Sequence, residues 1–234
     1  LDTSGEALFK RGWRMDKGRA PLRENLAAGL VMLSGWQPNQ ALLDPMCGSG
    51  TIIIEAGLMA ANIPPGMNRG FAFENYRGLD RALWQKVKNS IQIDKTPRAL
   101  YASDISAHAV NDMANNLQRA ELPFPVAFEQ NNALSVMPPA ASGVMVCNPP
   151  YGERIDVTTA NETSVFFKQW ADHLKTHYAG WNAYILTSDR DTPKYMRLSA
   201  SKKTPLFNGA LDCRLFEFKM VAGSARKPKP TATE

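Results

Sequence analysis

Residues that bind metals or form disulfides are scarce in this chain. Its 234 residues include three cysteines, Cys47, Cys147 and Cys213, which are widely separated and form no CxxC pair, and three histidines. His173 and His177 have a helical spacing that a metal could use, but no third ligand accompanies them. The sequence therefore predicts neither a disulfide framework nor a zinc site, and we expect no metal cofactor.

Long apolar runs are missing as well. A membrane-spanning helix needs roughly 20 apolar residues, and the N-terminus has no basic segment followed by an apolar one, as a secretory leader would. The chain starts at Leu1 without a methionine, which indicates an excised domain or a processed fragment. We expect a soluble, cytoplasmic protein. The formal net charge of +5 permits a nucleic-acid partner but does not require one.

Short apolar strands alternate with amphipathic helices along the chain. Strands are predicted at 41–44, 99–104, 126–130, 144–147 and 181–186, and helices at 21–34, 52–61, 79–93, 106–119 and 162–178. Asn208-Gly209, between two further strand-like runs at 201–207 and 213–221, predicts a closing hairpin. This order is typical of an α/β, doubly wound, mostly parallel sheet of seven strands with an antiparallel edge.

The helical periodicity also predicts which side chains face inward. In the helix at 79–93 the predicted apolar side consists of Leu83, Trp84, Val87 and Ile91. In the helix at 162–178 the predicted inward side chains are Val165, Phe166, Trp170 and Leu174. In the hairpin, Phe216, Phe218 and Met220 alternate as one buried face should.

We expect the main domain at 21–222, with a segment on either side of it and one insertion within it. Residues 1–20 form a basic N-terminal arm, which either packs through Leu8, Phe9 and Trp13 as a solvated arm or faces a substrate. Residues 62–98 lengthen the first crossover, either as a surface insertion or as a lid or substrate wall. Residues 223–234 are polar and rich in Pro and Lys, and we expect this tail to be disordered.

A loop of small residues follows the first predicted strand and leads into a helix, so that backbone N–H groups can approach a ligand closely. It lacks the lysine of a phosphate-binding P-loop, and Ile53 replaces the third glycine of a dinucleotide fingerprint. The acid before the loop would repel a phosphate and instead suits a positively charged ammonium or sulfonium. S-adenosylmethionine carries a positive charge of this kind. The expected cofactor residues here are Asp44, Pro45, Cys47, Gly48, Ser49, Gly50 and Thr51.

Polar residues also end the next two predicted strands. Asp104, with Ile105 beside it, can accept hydrogen bonds from the ribose hydroxyls of an adenosine-containing cofactor. The alternative for Asp104 is a helix N-cap, although Ser106 could equally be the cap. Asn131 or Asn132 could hydrogen-bond the adenine edge, or could simply be turn asparagines.

The apolar run at 144–147 ends in Asn148-Pro149-Pro150-Tyr151. Two prolines cannot continue a central strand, so they predict a rigid turn. The Asn148 side-chain oxygen and the Pro149 carbonyl can accept both N–H bonds of a conjugated amine, which directs the nitrogen lone pair at a methyl group. Tyr151 can stack on a base. The alternative is a strand terminator with a packed tyrosine.

The motifs DPMCGSGTI at 44–52, SDI at 103–105 and NPPYGERI at 148–155, preceded by LDTSGEALFKRGWR and APLRENLAAGL, resemble the RNA guanine N2-methyltransferases that are often fused to a THUMP domain. The closest resemblance is to the RlmL-type catalytic domain, and it covers the chain from Leu1 to about Ala222. It implies a Rossmann-like class I methyltransferase that uses S-adenosylmethionine, releases S-adenosyl-L-homocysteine and acts on RNA, with 23S ribosomal RNA expected.

The resemblance further implies that the chain is part of a longer protein with a THUMP domain and a second methyltransferase domain, neither of which is present here. Other substrates stay open, because NPPY also occurs in DNA adenine N6-methyltransferases and protein glutamine N5-methyltransferases. A tRNA guanine and a noncatalytic RNA-binding module are further alternatives. The LDTSGE and RGWR–APL segments favour the guanine in RNA over DNA or protein.

Overall fold

Six α-helices and seven strands alternate in the computed structural model, which describes residues 2–15, 22–149 and 160–222. The strands are β1 Ala41–Asp44, β2 Leu100–Asp104, β3 Ala127–Gln130, β4 Gly143–Cys147, β5 Trp181–Thr187, β6 Lys202–Asn208 and β7 Leu211–Lys219. The helices are α1 Glu24–Leu33, α2 Thr51–Ala60, α3 Arg81–Asn89, α4 Ala107–Ala120, α5 Ala160–His177 and α6 Thr192–Met196, with a short 3-10 turn at Ala72–Asn75.

The seven strands form one mixed sheet in the order β3-β2-β1-β4-β5-β7-β6. Strands β1 to β5 are parallel, whereas β7 runs antiparallel between β5 and β6. The strand order reverses between β1 and β4, and such a reversal leaves a crevice at the carboxyl ends of the strands. The predicted fold class is therefore confirmed, and the crevice is the expected place for a ligand.

Side-chain alternation along the central strands supplies a core on each face of the sheet. Leu42 and Val144 belong to the core that includes residues of α1, α2 and α4. Leu43 and Met145 belong to the opposite core, which includes residues of α5 and the closing hairpin. Because both faces are covered, the strands read as short apolar runs rather than as alternating ones. The predicted burial of Phe216, Phe218 and Met220 is confirmed.

The N-terminal arm packs on α2, which is buried along almost its whole length. Trp13 is only 2% exposed and contacts Ile54 and Leu58. The Arg11 guanidinium lies 3.3 Å from the Glu55 carboxylate, and both side chains are almost fully buried. Arg11 therefore points into the protein, whereas Lys10 of the arm is exposed. The predicted boundary at residues 20 and 21 and the predicted tail at 223–234 lie outside the described residues.

Two predicted helix faces are wrong in part. In α5, Val165 is 51% exposed, and the neighbouring Phe167 is buried instead. In α3 no residue is buried, and Leu83 and Val87 are 57% and 47% exposed. The sequence also gave no indication of α6. Within the described residues, no helix is long and apolar enough to cross a membrane.

Candidate active site

Asp44 ends β1 at the reversal of strand order and is buried. Burial raises the pKa of its carboxyl well above the ordinary value, and the negative charge of Asp104 raises it further. One carboxylate oxygen accepts a hydrogen bond of 3.2 Å from the Met46 N–H. No ion pair between described residues includes Asp44. A buried carboxylate without a cation is costly, so a positively charged ligand at this position would be stabilised.

The loop after Asp44 turns tightly into α2. Gly50 is the N-cap of α2 with a left-handed φ of 83°, and its N–H donates to the Cys47 carbonyl over 2.8 Å. A Cβ at Gly50 would lie 2.6 Å from Cγ of the buried Met113, so the loop packs directly on α4. The Asn116 side-chain amide, also from α4, donates to the Ser49 carbonyl over 3.1 Å. The conformation of the loop is therefore stabilised by contacts with α4 as well as by its own turn.

Cys47 lies in this loop, Thr51 is the first residue of α2, and both are buried. Burial raises the pKa of the Cys47 thiol well above its ordinary value, and the charges of Asp44 and Asp104 act in the same direction. A raised pKa disfavours the thiolate, which is the nucleophilic form of a cysteine. A packing role beside Met113, whose sulfur lies 3.5 Å away, fits the geometry.

Asp104 ends β2 and links its strand to the glycine loop. One carboxylate oxygen accepts a 2.9 Å hydrogen bond from the Gly48 N–H, and the other accepts one of 2.9 Å from the Ser106 N–H. The N-cap of α4 is Ser106, whose hydroxyl accepts from the Ala109 N–H. Each oxygen of Asp104 retains a second lone pair, so the carboxylate can still accept ligand hydroxyls. Ile105 beside it is exposed.

Asn131 and Asn132 form the turn after β3, next to Asp104. The Asn131 N–H donates to the Asp104 backbone carbonyl over 3.0 Å. The side-chain oxygens of the two asparagines accept from the Asn132 and Leu134 N–H groups, over 2.8 and 2.9 Å. The turn thus uses both side-chain oxygens, as the turn interpretation of these residues expects.

Asn148 follows β4 directly and carries the most unusual polar atom of the crevice. Its side-chain oxygen is buried, and no donor among the described residues reaches it. Buried polar groups are nearly always paired, since an unpaired one costs about 1–3 kcal/mol. A buried, unpaired oxygen at the carboxyl edge of a sheet can accept a hydrogen bond from a ligand. Pro149 is buried beside it, whereas Pro150 and Tyr151 lie outside the described residues.

The sheet brings the predicted residues together from four strand ends. Leu43 of β1 is paired with Met145 of β4, so Asp44 at the end of β1 and Asn148 after β4 belong to adjacent parallel strands at the reversal point. The hydrogen bond from Gly48 joins Asp104 to the same loop. The contacts of Met113 and Asn116 with the loop were not predicted from the sequence, because their partners lie more than 60 residues away. Helical spacing on α4 is only a weak signal for such contacts.

The parallel sheet, the acid-tipped strands and the Asn-Pro turn define a class I, Rossmann-like methyltransferase domain. The chain belongs to the UPF0020 family, described as RMKL-like, methyltransferase domain, whose model matches residues 11–217.

Sequence relatives point the same way. The chain is 39% identical over 242 aligned positions to the ribosomal RNA large subunit methyltransferase K/L of Shewanella sp. (strain W3-18-1), covering 100% of this chain and 34% of that protein. A protein of the same name from Shewanella baltica (strain OS195) is 39% identical over 238 positions, with 98% of this chain and 33% of the relative covered. The chain thus spans about a third of the length of these curated relatives.

Solved structures share the fold. A possible methylase from Clostridium difficile 630 superimposes with a TM-score of 0.87 at 33% identity, covering 96% of this chain and 59% of that one. SMU.472 complexed with SAH superimposes with a TM-score of 0.83 at 33% identity, covering 96% of this chain and 58% of that one. A predicted N6-adenine-specific DNA methylase from Listeria monocytogenes str. 4b F2365 superimposes with a TM-score of 0.83 at 32% identity, covering 93% of this chain and 56% of that one.

Proposed function

We propose that this domain transfers a methyl group from S-adenosylmethionine to the exocyclic N2 amine of a guanine in RNA, with 23S ribosomal RNA as the substrate. The observation that carries the proposal is the buried, unpaired side-chain oxygen of Asn148 at the carboxyl end of β4. The names of the curated relatives support ribosomal RNA of the large subunit, and the SAH complex of SMU.472 supports the methyl donor.

The residues at the strand ends fit S-adenosylmethionine, which when bound supplies a methyl group on a positively charged sulfur. Asp44 would offset positive charge, because it is a buried carboxylate without an ion pair among the described residues. Asp104 would accept the ribose hydroxyls with its remaining lone pairs. The loop residues Pro45 to Thr51, with Ile105, Asn131 and Asn132, would surround the remainder of the cofactor.

Asn148 and Pro149 would prepare the amine for methylation. A guanine N2 amine is a poor nucleophile because its lone pair is delocalised into the ring. Accepting one N–H at the Asn148 oxygen and the other at the Pro149 carbonyl favours a pyramidal nitrogen, whose lone pair then points along the direction of attack. Pro150 would keep these acceptors rigid, and Tyr151 would stack on the base. The methylated nitrogen becomes acidic and loses its extra proton, so no strong base is required.

The chain would work as one part of a longer protein. It covers 34% of the length of a curated relative, which leaves room there for further domains. We propose that a THUMP domain on the N-terminal side contributes RNA capture and that a second methyltransferase domain lies on the C-terminal side.

The test uses tritiated methyl transfer to unmodified ribosomal RNA, transfer RNA and DNA in parallel, followed by nucleoside analysis. Label in N2-methylguanine is expected. DNA adenine is the second candidate, because one similar structure is called a predicted N6-adenine-specific DNA methylase. Label in N6-methyladenine would replace the guanine proposal with that candidate.

Asn148→Ala separates a chemical role from a structural one. We expect turnover to fall roughly 10²–10³-fold, as when one hydrogen-bonding group for the transition state is removed, while S-adenosyl-L-homocysteine still binds. Because the unpaired buried oxygen destabilises the fold, the variant should unfold at the same temperature as the wild type or higher. The control is Asn115→Ala, an exposed asparagine on α4. Equal turnover in both variants would refute the role of Asn148.

A further inference from the structure

The insertion between α2 and β2 carries most of the net charge of the chain. Residues 62–98 contain seven Lys or Arg and three Asp or Glu, which gives a formal net charge of +4 against +5 for the whole chain. Among the described residues, no carboxylate forms an ion pair with Arg77, Arg81, Lys86 or Lys95. A concentrated and unpaired basic surface is the electrostatic signature of a polyanion partner.

The insertion is an ordered structure built on aromatic rings. Phe73 lies 5.3 Å from Phe71 and 5.0 Å from Trp84, measured between ring centroids. The Lys88 ammonium lies 4.9 Å above the Trp84 ring, and the Arg69 guanidinium lies 5.1 Å above the Phe71 ring. These contacts hold the insertion together without a large core.

The N-terminal arm fixes the insertion to the domain. The Arg69 guanidinium donates to the backbone carbonyls of Ser4, Glu6 and Ala7, and the Phe73 N–H donates to the Thr3 carbonyl over 3.0 Å. A side chain on the insertion therefore has a defined position relative to α2 and the sheet.

Tyr76 stands out on this surface because it is aromatic and 67% exposed. Its N–H donates to the Phe73 carbonyl over 3.0 Å, and its own carbonyl accepts from the Leu79 N–H. The ring lies against Gly78, where an added Cβ would come within 2.6 Å of Cε1. The ring is thus supported by backbone on one side and free on the other, between the exposed Arg77 and the start of α3.

The two ends of the insertion lie at the edge of the sheet opposite to the candidate active site. Helix α2 starts at the carboxyl end of β1 and ends where the insertion begins, and β2 then starts from its amino end. Ten helical residues span about 15 Å. The Asp94 N–H donates to the Ala61 carbonyl over 2.9 Å, so the insertion leaves and rejoins the domain about one helix length from the carboxyl end of β1.

We infer that Tyr76, Arg77 and Arg81, together called the insertion surface, form a second RNA-binding site in which Tyr76 stacks on an unpaired base and the cations contact phosphates. This inference rests on the proposed function for the nature of the polymer. Exposed apolar side chains such as Leu83 and Val87 could also suit a protein, but the unpaired positive charge beside an exposed ring favours nucleic acid.

The test measures binding of unmodified large-subunit rRNA transcripts to the full chain across a range of salt concentrations. Tyr76→Ala should weaken binding roughly tenfold through lost stacking. Arg77→Gln with Arg81→Gln should weaken it and lower the salt-dependence slope by about 1.4, for two phosphate contacts with single-stranded RNA. The charge-matched control is Lys202→Gln with Lys203→Gln, exposed lysines on β6 at the sheet edge. Gly78→Ala, which would displace the Tyr76 ring, should act like Tyr76→Ala.

The outcomes separate this inference from the proposed function. Weaker RNA binding in the insertion variants, normal binding in the control and unchanged S-adenosyl-L-homocysteine affinity throughout would support the insertion surface. Equal losses in the control pair would show a nonspecific charge effect and overturn it. Unchanged RNA binding in all insertion variants would also overturn it and favour a protein partner at Leu83 and Val87. Methyl transfer by the wild type tests the proposed function independently.

Discussion

At the scale of single residues, the candidate active site depends on side chains and glycines whose roles are distinct. Asn148 has an unpaired oxygen lone pair, and Asp104 links β2 to the glycine loop. Gly50 lacks a side chain where one would clash with Met113. The polar residue types at the two strand ends were visible in the sequence, but the hydrogen bond from the Gly48 N–H to Asp104 was not predicted. The role of Gly50 required the structure, because only there is Met113 seen against it.

Gly50 and Gly48 offer a matched pair of substitutions. Both have a left-handed φ, 83° and 52°, but an added Cβ meets Met113 at Gly50 and nothing within 4 Å at Gly48. Gly48→Ala should lower the free energy of unfolding by about 1 kcal/mol from backbone strain alone. Gly50→Ala should lower it by about 1–3 kcal/mol more, because Met113 is buried and cannot move freely. Urea denaturation measures both, and equal losses would contradict the close packing of the loop on α4.

At the scale of elements, α2 depends on the arm for its outer side. Glu55 is buried on this helix, and its pKa is raised by burial, although the charge of Arg11 opposes that rise. The ion pair therefore attaches the arm to the helix while it compensates a buried charge.

Arg11→Met should remove that compensation and lower the free energy of unfolding by about 3 kcal/mol at neutral pH. The pKa of Glu55 should rise further in the variant, since the group that lowers it is lost. A raised acid pKa adds stability when the group is protonated, so the deficit of the variant should shrink as the pH falls through that pKa. Denaturation at several pH values measures this.

Two further variants control the ion-pair prediction. Arg11→Met with Glu55→Gln should recover much of the stability at neutral pH, because no unpaired charge stays buried. Lys194→Met breaks an exposed pair with Asp191 and should change nothing measurable. A deficit for Arg11→Met that is independent of pH would show that packing of the side chain, and not its charge, attaches the arm.

Periodicity predicted the elements well and their faces less well. The bounds of β1 were predicted to the residue, and the hairpin followed from Asn208-Gly209. In α5 two adjacent aromatics, Phe166 and Phe167, both have helical spacing to inward residues, so the phase of the buried stripe was ambiguous from sequence. In α3 the apolar side was predicted, but sequence alone could not show that little of the protein lies against it.

At the scale of the whole molecule, binding of the cofactor product should be visible as stabilisation of the entire domain. At a concentration of S-adenosyl-L-homocysteine 100 times its Kd, the expected gain is about 2.7 kcal/mol. For a domain of this size that corresponds to a rise in Tm of roughly 5–10 °C. Asp104→Ala should lose most of this rise, whereas Asp172→Ala, which removes an exposed carboxylate on α5, should keep it. The same rise in both variants would refute cofactor binding by Asp104.

The packing of the N-terminal arm has a consequence for the order in which the chain folds during synthesis. Trp13 is translated before the residues that it contacts, which include Ala120 roughly a hundred residues further along the chain. At about 5–20 residues per second, the arm waits roughly 5–20 s for its complete binding surface. During that interval the indole of Trp13 remains available to chaperones, so the arm is translated well before it can reach its native position.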